Sequence, residues 1–237
     1  YNILTVYHTV PEHFTENFTR GFRAAAENLK SRGLMLTAFR TPSLDPQCAA
    51  EALKEVDLSQ VDALLIDCGG AELNEFIAQA SSMGIPVATF GSDSQSSERI
   101  FYVGEDPYVS GKLAGELAGK LLRGHGTMLA FQGPNKVDAL NARVQGMRDV
   151  IHSDYPEVEI LPSVEHSDDD VSSIRGAINI LNRSELPSCV FCNSAGGTLA
   201  LHRAIQYLDL EDKELPLIIG YDFSEDIANM LQDGYCS

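Results

Sequence analysis

The chain has 237 residues, with 17 basic and 34 acidic side chains and a net charge of −17 at pH 7. This acidity opposes direct binding to a nucleic-acid backbone or to an anionic lipid surface. Hydrophobic residues make up 44% and charged residues 22% of the chain, close to globular averages, which excludes disordered and fibrous classes. The strongest apolar runs, Ala63–Ile66 and Leu215–Ile219, have the length of strands, so we expect no membrane span.

The first half of the chain alternates strand-length segments with helical patterns. The predicted strands are Ile3–His8, Leu34–Phe39, Ala63–Asp67, Pro86–Phe90 and Ile100–Val103. The predicted helices are the segment marked by Phe14, Phe18, Phe22 and Leu29, which ends at Gly33, and then Pro46–Val56 and Glu72–Met83. Such alternation is typical of a parallel sheet covered by helices.

The second half repeats this alternation. Its predicted helices are Tyr108–Leu122, Ala139–His152, Val171–Asn182, Thr198–Leu208 and Glu225–Leu231. Its predicted strands are Thr127–Gln132, Val158–Pro162, Cys189–Cys192 and Leu217–Tyr221, and a further strand is expected to begin at Tyr235. The second half therefore predicts another parallel sheet with helices on its faces.

The two halves follow one plan. In the first half Asp67 ends a predicted strand and the next strand leads to Asp93, and in the second half Asn193 and Asp222 hold similar places. We therefore predict an α/β fold with two similar doubly wound, Rossmann-like lobes, residues 1–104 and 105–237, and a hinge through residues 104–107. The carboxyl ends of their strands would line a ligand cleft between the lobes.

The cysteines indicate the cellular compartment in which the protein is expected to lie. Their number is odd, and they are Cys48, Cys68, Cys189, Cys192 and Cys236. Secreted domains usually carry paired cysteines, so this set favours a reducing compartment and hence the cytoplasm, with a periplasmic or extracytoplasmic location as the alternative. Cys189 and Cys192 lie three apart on a predicted strand, which places their sulfurs on opposite faces rather than in a redox pair.

Motifs for catalysis are incomplete. The segment Gly124–Gly126 precedes a strand and lacks the third glycine of a dinucleotide fingerprint. The turn at Asn193–Gly196 resembles a nucleophile elbow, but Cys192 stands where that motif needs glycine. The six histidines show no metal-ligand spacing. We expect no enzymatic activity, no cofactor and no metal site.

Polar residues at strand ends are the candidate ligand-binding residues. They are His8, His13, Phe14, Asp93, Asn141, Arg143, His166, Asn193 and Asp222. Carboxylates and a guanidinium suit the vicinal hydroxyls of a neutral sugar or a similar small polar metabolite, and an aromatic ring suits the apolar face of a sugar.

All of these candidates except Asn141 also have a purely structural interpretation. Phe14 could be the hydrophobic staple of its helix, and Asp93, Asn193 and Asp222 could cap helices or turns. Arg143 could be solvated or belong to a surface ion pair. The histidines allow the same choice: His8 and His13 could be packing or surface residues, and His166 could belong to a solvated loop.

Several motifs resemble those of type I periplasmic-binding-protein-like domains. They are Gly84–Phe90, Tyr102–Asp106 with Gly111, Ala114 and Gly115, Arg143–Met147, Asn193 with Ala200, and Ile219–Asp222. The resemblance covers essentially the whole chain. It implies two lobes, and it places Phe14, Asp93, Arg143, Asn193 and Asp222 at ligand-contacting positions. Two departures stand out, because Ser194 replaces a frequent Asp and Gly91 stands where many members carry an acid.

The family includes the effector domains of lactose-repressor type regulators and extracytoplasmic sugar-binding proteins of ABC transporters. We expect a regulator that binds a carbohydrate effector and forms a homodimer, with the transport receptor as the alternative. In that interpretation DNA is contacted only by a headpiece preceding Tyr1, and a segment beyond Ser237 returns to the first lobe. The chain itself is expected to contact no membrane.

Overall fold

The computed structural model of the protein describes residues 1–9, 12–67, 69–167, 169–210 and 214–236, with side chains except at positions 12–14, 16 and 17. The chain forms two compact units. Unit 1 is Tyr1–Glu105 with Lys136–Ala139, and unit 2 is Asp106–Asn135 with Leu140–Ser237. The predicted division into lobes at residues 1–104 and 105–237 stays a prediction, because compactness alone does not test whether the segments fold or move as separate bodies.

Unit 1 is built on a parallel five-stranded sheet with the order β2-β1-β3-β4-β5. The strands are β1 (Asn2–His8), β2 (Met35–Thr41), β3 (Ala63–Ile66), β4 (Val87–Phe90) and β5 (Phe101–Val103). The helices are α1 (Glu12–Lys30), α2 (Pro46–Leu53) and α3 (Asn74–Ser82), with 3-10 turns at Leu58–Gln60 and Ala71–Leu73. One core packs against this sheet, around Val6, Leu64, Ile66 and Ile77.

Unit 2 contains a second parallel sheet with the order β10-β9-β6-β7, and β8 also pairs with β6. The strands are β6 (Gly126–Gln132), β7 (Val158–Ile160), β8 (Val164–Glu165), β9 (Cys189–Cys192) and β10 (Leu217–Ile219). The helices are α4 (Pro107–Leu121), α5 (Asp138–Asp154), α6 (Asp170–Leu181), α7 (Ala195–Tyr207) and α8 (Glu225–Gln232).

Burial on both faces explains why the sequence of β9 is apolar throughout. Cys189 and Phe191 belong to one buried cluster, whereas Val190 and Cys192 belong to another. Both faces of this strand are therefore covered, as is usual for a central parallel strand. The two sulfurs lie on opposite faces, as the spacing predicts, and both cysteines are free.

Three predicted elements differ from the structure. The strand predicted at Val158–Pro162 ends at Ile160, because Pro162 lacks an N–H group, and the ladder to β6 resumes at Val164 in a separate strand that was not predicted. The helix predicted at Glu72–Met83 begins with a 3-10 turn. No strand forms at Tyr235 and Cys236, the described part of the segment where one was expected.

Candidate functional site

Two polar side chains meet at the carboxyl ends of neighbouring strands in unit 1. His8 is the last residue of β1, and Asp67 directly follows β3. The Nε2 atom of His8 lies 3.2 Å from Oδ2 of Asp67, and both residues are buried. Oδ1 of Asp67 also accepts a hydrogen bond of 3.1 Å from the backbone N–H of Ser92. The Asp67 carboxylate is therefore fixed from two sides.

The absence of a side chain at Gly91 makes room for this carboxylate. The backbone of Gly91 has a φ of 67°, in the left-handed region that glycine tolerates. A Cβ atom at this position would lie 2.8 Å from Oδ1 of Asp67. A side chain at position 91, such as the acid that the resemblance leads us to expect, would therefore displace the Asp67 carboxylate.

Asp93 follows β4 and is held within the same unit. Its carboxylate accepts two hydrogen bonds from the guanidinium of Arg99, one of them 2.6 Å long from an Nη atom. Thr89 Oγ1 donates to it at 2.6 Å, and the N–H of Ser94 at 2.9 Å. Partial burial opposes ionisation, but the hydrogen bonds from Arg99 and Thr89 outweigh it and lower the pKa of Asp93. This network orders the loop between β4 and β5.

Arg143 is the central cation at the carboxyl end of the sheet in unit 2. It lies in the second turn of α5, and one Nη atom donates to the backbone carbonyl of Asn193 at 2.9 Å. Its guanidinium carbon lies 3.9 Å from the ring centroid of Tyr221, which is within the range of a cation–π contact. Two independent contacts thus define the direction of this side chain.

Glycines on α4 and α5 fix the backbone beneath Arg143. A Cβ atom at Gly111 would lie 2.0 Å from the carbonyl oxygen of Arg143, and one at Gly146 would lie 2.1 Å from that of Tyr108. The two helices therefore pack with backbone against backbone. This close approach explains why glycine stands at position 111 of one motif and at position 146 of the other.

Asn193 and Asn141 join loops around Arg143. Asn193 is fully buried; its Oδ1 accepts from the N–H of Gly133 at 2.9 Å, and its Nδ2 donates to the carbonyl of Leu140 at 3.0 Å. Asn141 accepts from Nε2 of Gln132 at 2.9 Å, and its Nδ2 donates to the backbone carbonyl of Asn135 in the loop after β6. Both amides tie the loop after β6 to the start of α5.

Asp222 follows β10 in an unusual conformation. Its φ of 65° lies in the left-handed region, where a residue other than glycine is uncommon. Its Oδ2 accepts a hydrogen bond of 2.9 Å from the N–H of Ala195, the first residue of α7, and the residue is exposed. The positive end of the helix dipole favours a carboxylate there. Such local strain is a recurrent feature of functional sites.

His166 follows β8 and is buried in unit 2. Its ring packs against Phe131 with centroids 4.5 Å apart, and its Nδ1 lies 2.9 Å from Oγ of Ser173. Burial lowers the pKa of His166 to about 4, so the ring is neutral at pH 7. The expectation of a solvated loop at this position is wrong for His166 itself.

The structure thus gathers the candidates into two groups. In unit 2 Arg143 contacts the backbone of Asn193, and Asp222 accepts from the N–H of Ala195, two residues further along the chain. His8 pairs with Asp67 in unit 1, whereas Asp93 pairs with Arg99. The side chains of His13 and Phe14 lie outside the described residues, so their predicted roles stay predictions.

Sequence reasoning about the site missed Asp67 and Tyr221 as participants. Asp67 directly follows a strand, the same signal that selected Asp93, and could have been found by it. The stacking of Tyr221 on Arg143 joins residues far apart in sequence, and no local pattern predicts such a contact.

Within the described ranges, no group of three or more His, Cys, Asp or Glu side chains is arranged to hold a metal ion. In the same part of the chain, no helix combines the length and apolar composition that a membrane crossing needs.

A family model and a curated protein match this chain. A family model described as "Periplasmic binding protein domain" matches residues 3–237. The chain is 27% identical over 167 residues to the ribose operon repressor of Haemophilus influenzae, a match that covers 69% of this chain and 48% of that protein. The chain thus spans about half the length of this curated relative.

Solved structures are similar over the full length of the chain. The XylFII molecule is 25% identical with a TM-score of 0.83, and the match covers 100% of this chain and 85% of that one. A solute-binding protein of an ABC transporter from Burkholderia graminis, in complex with D-arabinose, has a TM-score of 0.87 at 21% identity, with 99% and 80% covered. A glucose-galactose binding protein from Geobacillus stearothermophilus has a TM-score of 0.84 at 24% identity, with 100% and 83% covered.

Proposed function

The chain belongs to the periplasmic binding protein domain family, and we propose that it binds a monosaccharide or a similar small polyhydroxylated metabolite without chemical conversion. The family resemblance inferred from the motifs is confirmed, and so is the predicted α/β fold with two parallel-sheet lobes of the type I kind. The family and the relatives reported above are named for binding or regulation rather than catalysis, which supports a non-enzymatic role.

The observation that carries this proposal is the cluster of Arg143, Tyr221 and Asp222 in unit 2. It presents a guanidinium, an aromatic ring and a carboxylate at the carboxyl end of a parallel sheet, where open α/β folds bind ligands. Vicinal hydroxyls pair with a guanidinium and a carboxylate through charge-assisted hydrogen bonds. The ligand would be neutral, because the cluster holds charges of both signs.

We propose that unit 1 also carries ligand-binding side chains. His8 and Asp67 are the fixed polar groups at the carboxyl end of its sheet, Phe14 is proposed to cover an apolar sugar face, and His13 is proposed as a further ligand contact. Asn141, Asn193 and His166 complete the proposed set around the ligand in unit 2. Asp93 remains in the proposed set. Its carboxylate would then accept hydrogen bonds from both Arg99 and the ligand.

Calorimetric titration with a panel of D-ribose, D-arabinose, D-allose, D-xylose, D-glucose and D-galactose tests the proposal. We expect saturable binding of at least one sugar, and unchanged sugar by NMR after prolonged incubation. No binding across the panel would contradict the sugar assignment, and a new product would contradict the non-enzymatic role.

A pair of variants tests whether both units contribute. Asp67→Asn removes a charge in unit 1. Asp222→Asn removes one in unit 2 while keeping a residue type that tolerates the left-handed backbone. We expect both to weaken binding of the same sugar. Wild-type affinity in either variant would contradict the role of that aspartate in ligand binding.

We further propose that the chain is the effector domain of a lactose-repressor type regulator in the cytoplasm, acting as a homodimer with DNA contacted by a separate headpiece. The match to a ribose operon repressor and the free cysteines Cys48, Cys189, Cys192 and Cys236 support it. The alternative is an extracytoplasmic sugar-binding protein of an ABC transporter, supported by the structural likeness to such proteins.

Two observations on the full encoded protein separate these alternatives. A helix-turn-helix pattern preceding Tyr1 supports the regulator, and a signal peptide there contradicts it. Sedimentation equilibrium of the full protein is expected to show a dimer for a regulator. A monomer across the micromolar range would favour the transport receptor.

A further inference from the structure

Tyr221 packs against the core of unit 2 beside Arg143. Its backbone N–H donates to Oγ1 of Thr198, a fully buried residue of α7, at 3.0 Å. Its ring also meets Phe191 of β9 in an edge-to-face arrangement with centroids 6.2 Å apart. Since Phe191 and Thr198 are both completely buried, the ring has a fixed support on the side of the core.

The guanidinium of Arg143 lies over this supported ring at 3.9 Å from its centroid. A guanidinium that stacks through its face keeps its N–H groups in the plane, where they can donate to oxygen atoms. One Nη donates to the backbone carbonyl of Asn193 at 2.9 Å, which sets the rotation of the plane. Ring and carbonyl together define both the position and the orientation of the cation.

We propose that Tyr221 is a positioning residue, whose ring face preorganises Arg143 for hydrogen bonds to ligand hydroxyls. This inference rests on the proposed function for its binding consequence, but the ordering of Arg143 is a property of the ligand-free protein. A free arginine side chain loses much rotamer entropy when it is fixed. A cation that is already ordered loses less on binding, and this raises affinity without any new contact.

Two variants separate the ring face from the rest of the side chain. Tyr221→Phe keeps the aromatic face and the packing against Phe191, whereas Tyr221→Leu removes the aromatic face and keeps an apolar group. We expect Tyr221→Phe to bind the preferred sugar of the panel within about twofold of wild type, and Tyr221→Leu to bind about tenfold more weakly. Arg175→Ala, which removes an exposed arginine of α6, is the control and should leave binding unchanged.

The ligand-free readout is the ¹⁵N relaxation of the Arg143 Nε–Hε group. We expect a rigid group in wild type and Tyr221→Phe, and a mobile one in Tyr221→Leu. A group as rigid in Tyr221→Leu as in wild type would overturn the inference, whether or not any sugar binds. Wild type that binds none of the panel would instead count against the proposed function alone.

A fluorination series decides whether the ring acts through its electron density. Phenylalanine, fluorophenylalanine and trifluorophenylalanine at position 221 have similar shape but progressively weaker cation–π attraction. We expect affinity and Arg143 order to fall along the series while the thermal midpoint of unfolding stays constant. A flat response in both would show that the ring merely fills space.

Discussion

Asp93 illustrates at the scale of one residue how a strand-end carboxylate serves the fold. Its oxygens accept from Arg99, Thr89 and Ser94, so its charge is compensated inside unit 1. Because the folded pKa lies below the ordinary value of 3.8, the charged form stabilises the folded state. This contribution is complete above that ordinary value and is lost as the pH falls through the folded pKa.

We predict that Asp93→Asn lowers the free energy of unfolding by about 1.5–3 kcal/mol at pH 7, the range for hydrogen bonds to charged groups. Urea denaturation at several pH values measures it. The difference from wild type should shrink below pH 3.8, where the carboxylate of the unfolded chain takes up a proton, and it should disappear as the pH falls through the lower pKa of the folded protein. Glu159→Gln, an exposed acid of β7, is the control with no expected loss. A stability equal to wild type at pH 7 would contradict this role.

His166 gives a second prediction at this scale. Burial holds its pKa at about 4, below the ordinary 6.5, so the unfolded chain binds a proton that the folded chain does not between these values. Stability from this group is therefore present above pH 6.5 and declines as the pH falls towards 4. NMR titration of the imidazole, assigned with His166→Gln, should give a midpoint near 4. A midpoint near 6.5 would contradict the buried, neutral ring.

The positions of polar residues could be predicted at the residue scale, but their partners could not. Asn193, Arg143 and Asp222 stand at strand or helix ends, which marks them as candidates, and in the structure Arg143 bonds to the carbonyl of Asn193 while Asp222 bonds to the nearby N–H of Ala195. The partner of Asp93 is Arg99, and nothing in the sequence distinguishes it from other basic residues until the loop conformation is known. Partners depend on tertiary geometry, which local patterns do not encode.

At the scale of elements, periodicity and punctuation predicted most strands and helices. Pro107 at the first position of α4, after the cap Asp106, is one such signal; the Asp106 carboxylate accepts from the N–H of Val109. The errors have local causes. The two-residue strand β8 is too short to show an alternating pattern, and the 3-10 turn at Ala71–Leu73 carries the same residue types as a helix.

The close packing of α4 and α5 gives an element-scale prediction. Gly146→Ala introduces a methyl group that would lie 2.1 Å from the carbonyl oxygen of Tyr108, so the helices must separate. We expect the free energy of unfolding to fall by about 1–3 kcal/mol. Gly21→Ala in α1 meets nothing within 4 Å and should raise it by roughly 0.5–1 kcal/mol. Equal effects of the two changes on urea denaturation would contradict the packing argument.

The burial of β9 predicts thiol reactivity. Burial raises the pKa of Cys189 to about 12 and raises that of Cys192 as well, so neither forms a thiolate at pH 8. Cys48 is exposed on α2. Peptide mapping after brief alkylation should find Cys48 modified well before Cys189 and Cys192. Equal labelling of the three in the native protein would contradict the covered faces of β9.

At the scale of the whole molecule, the repeated strand–helix plan predicted two parallel sheets, and the structure contains both. The sheet orders show the same arrangement, with the first strand of each half inside its sheet and later strands added on either side. In each sheet the polar residues that follow the strands lie near one another, because the carboxyl ends of parallel strands lie at one edge of the sheet. The identity of the ligand does not follow from this plan, since it depends on individual contacts.

The most direct test of sugar binding through the unit 2 cluster is a calorimetric titration of Arg143→Ala beside wild type and Arg175→Ala. It uses the panel sugar that wild type prefers. Loss of charge-assisted hydrogen bonds should weaken binding by about 1.5–3 kcal/mol, roughly 10- to 150-fold, in Arg143→Ala alone. Wild-type affinity in Arg143→Ala, with the same enthalpy, would contradict the account.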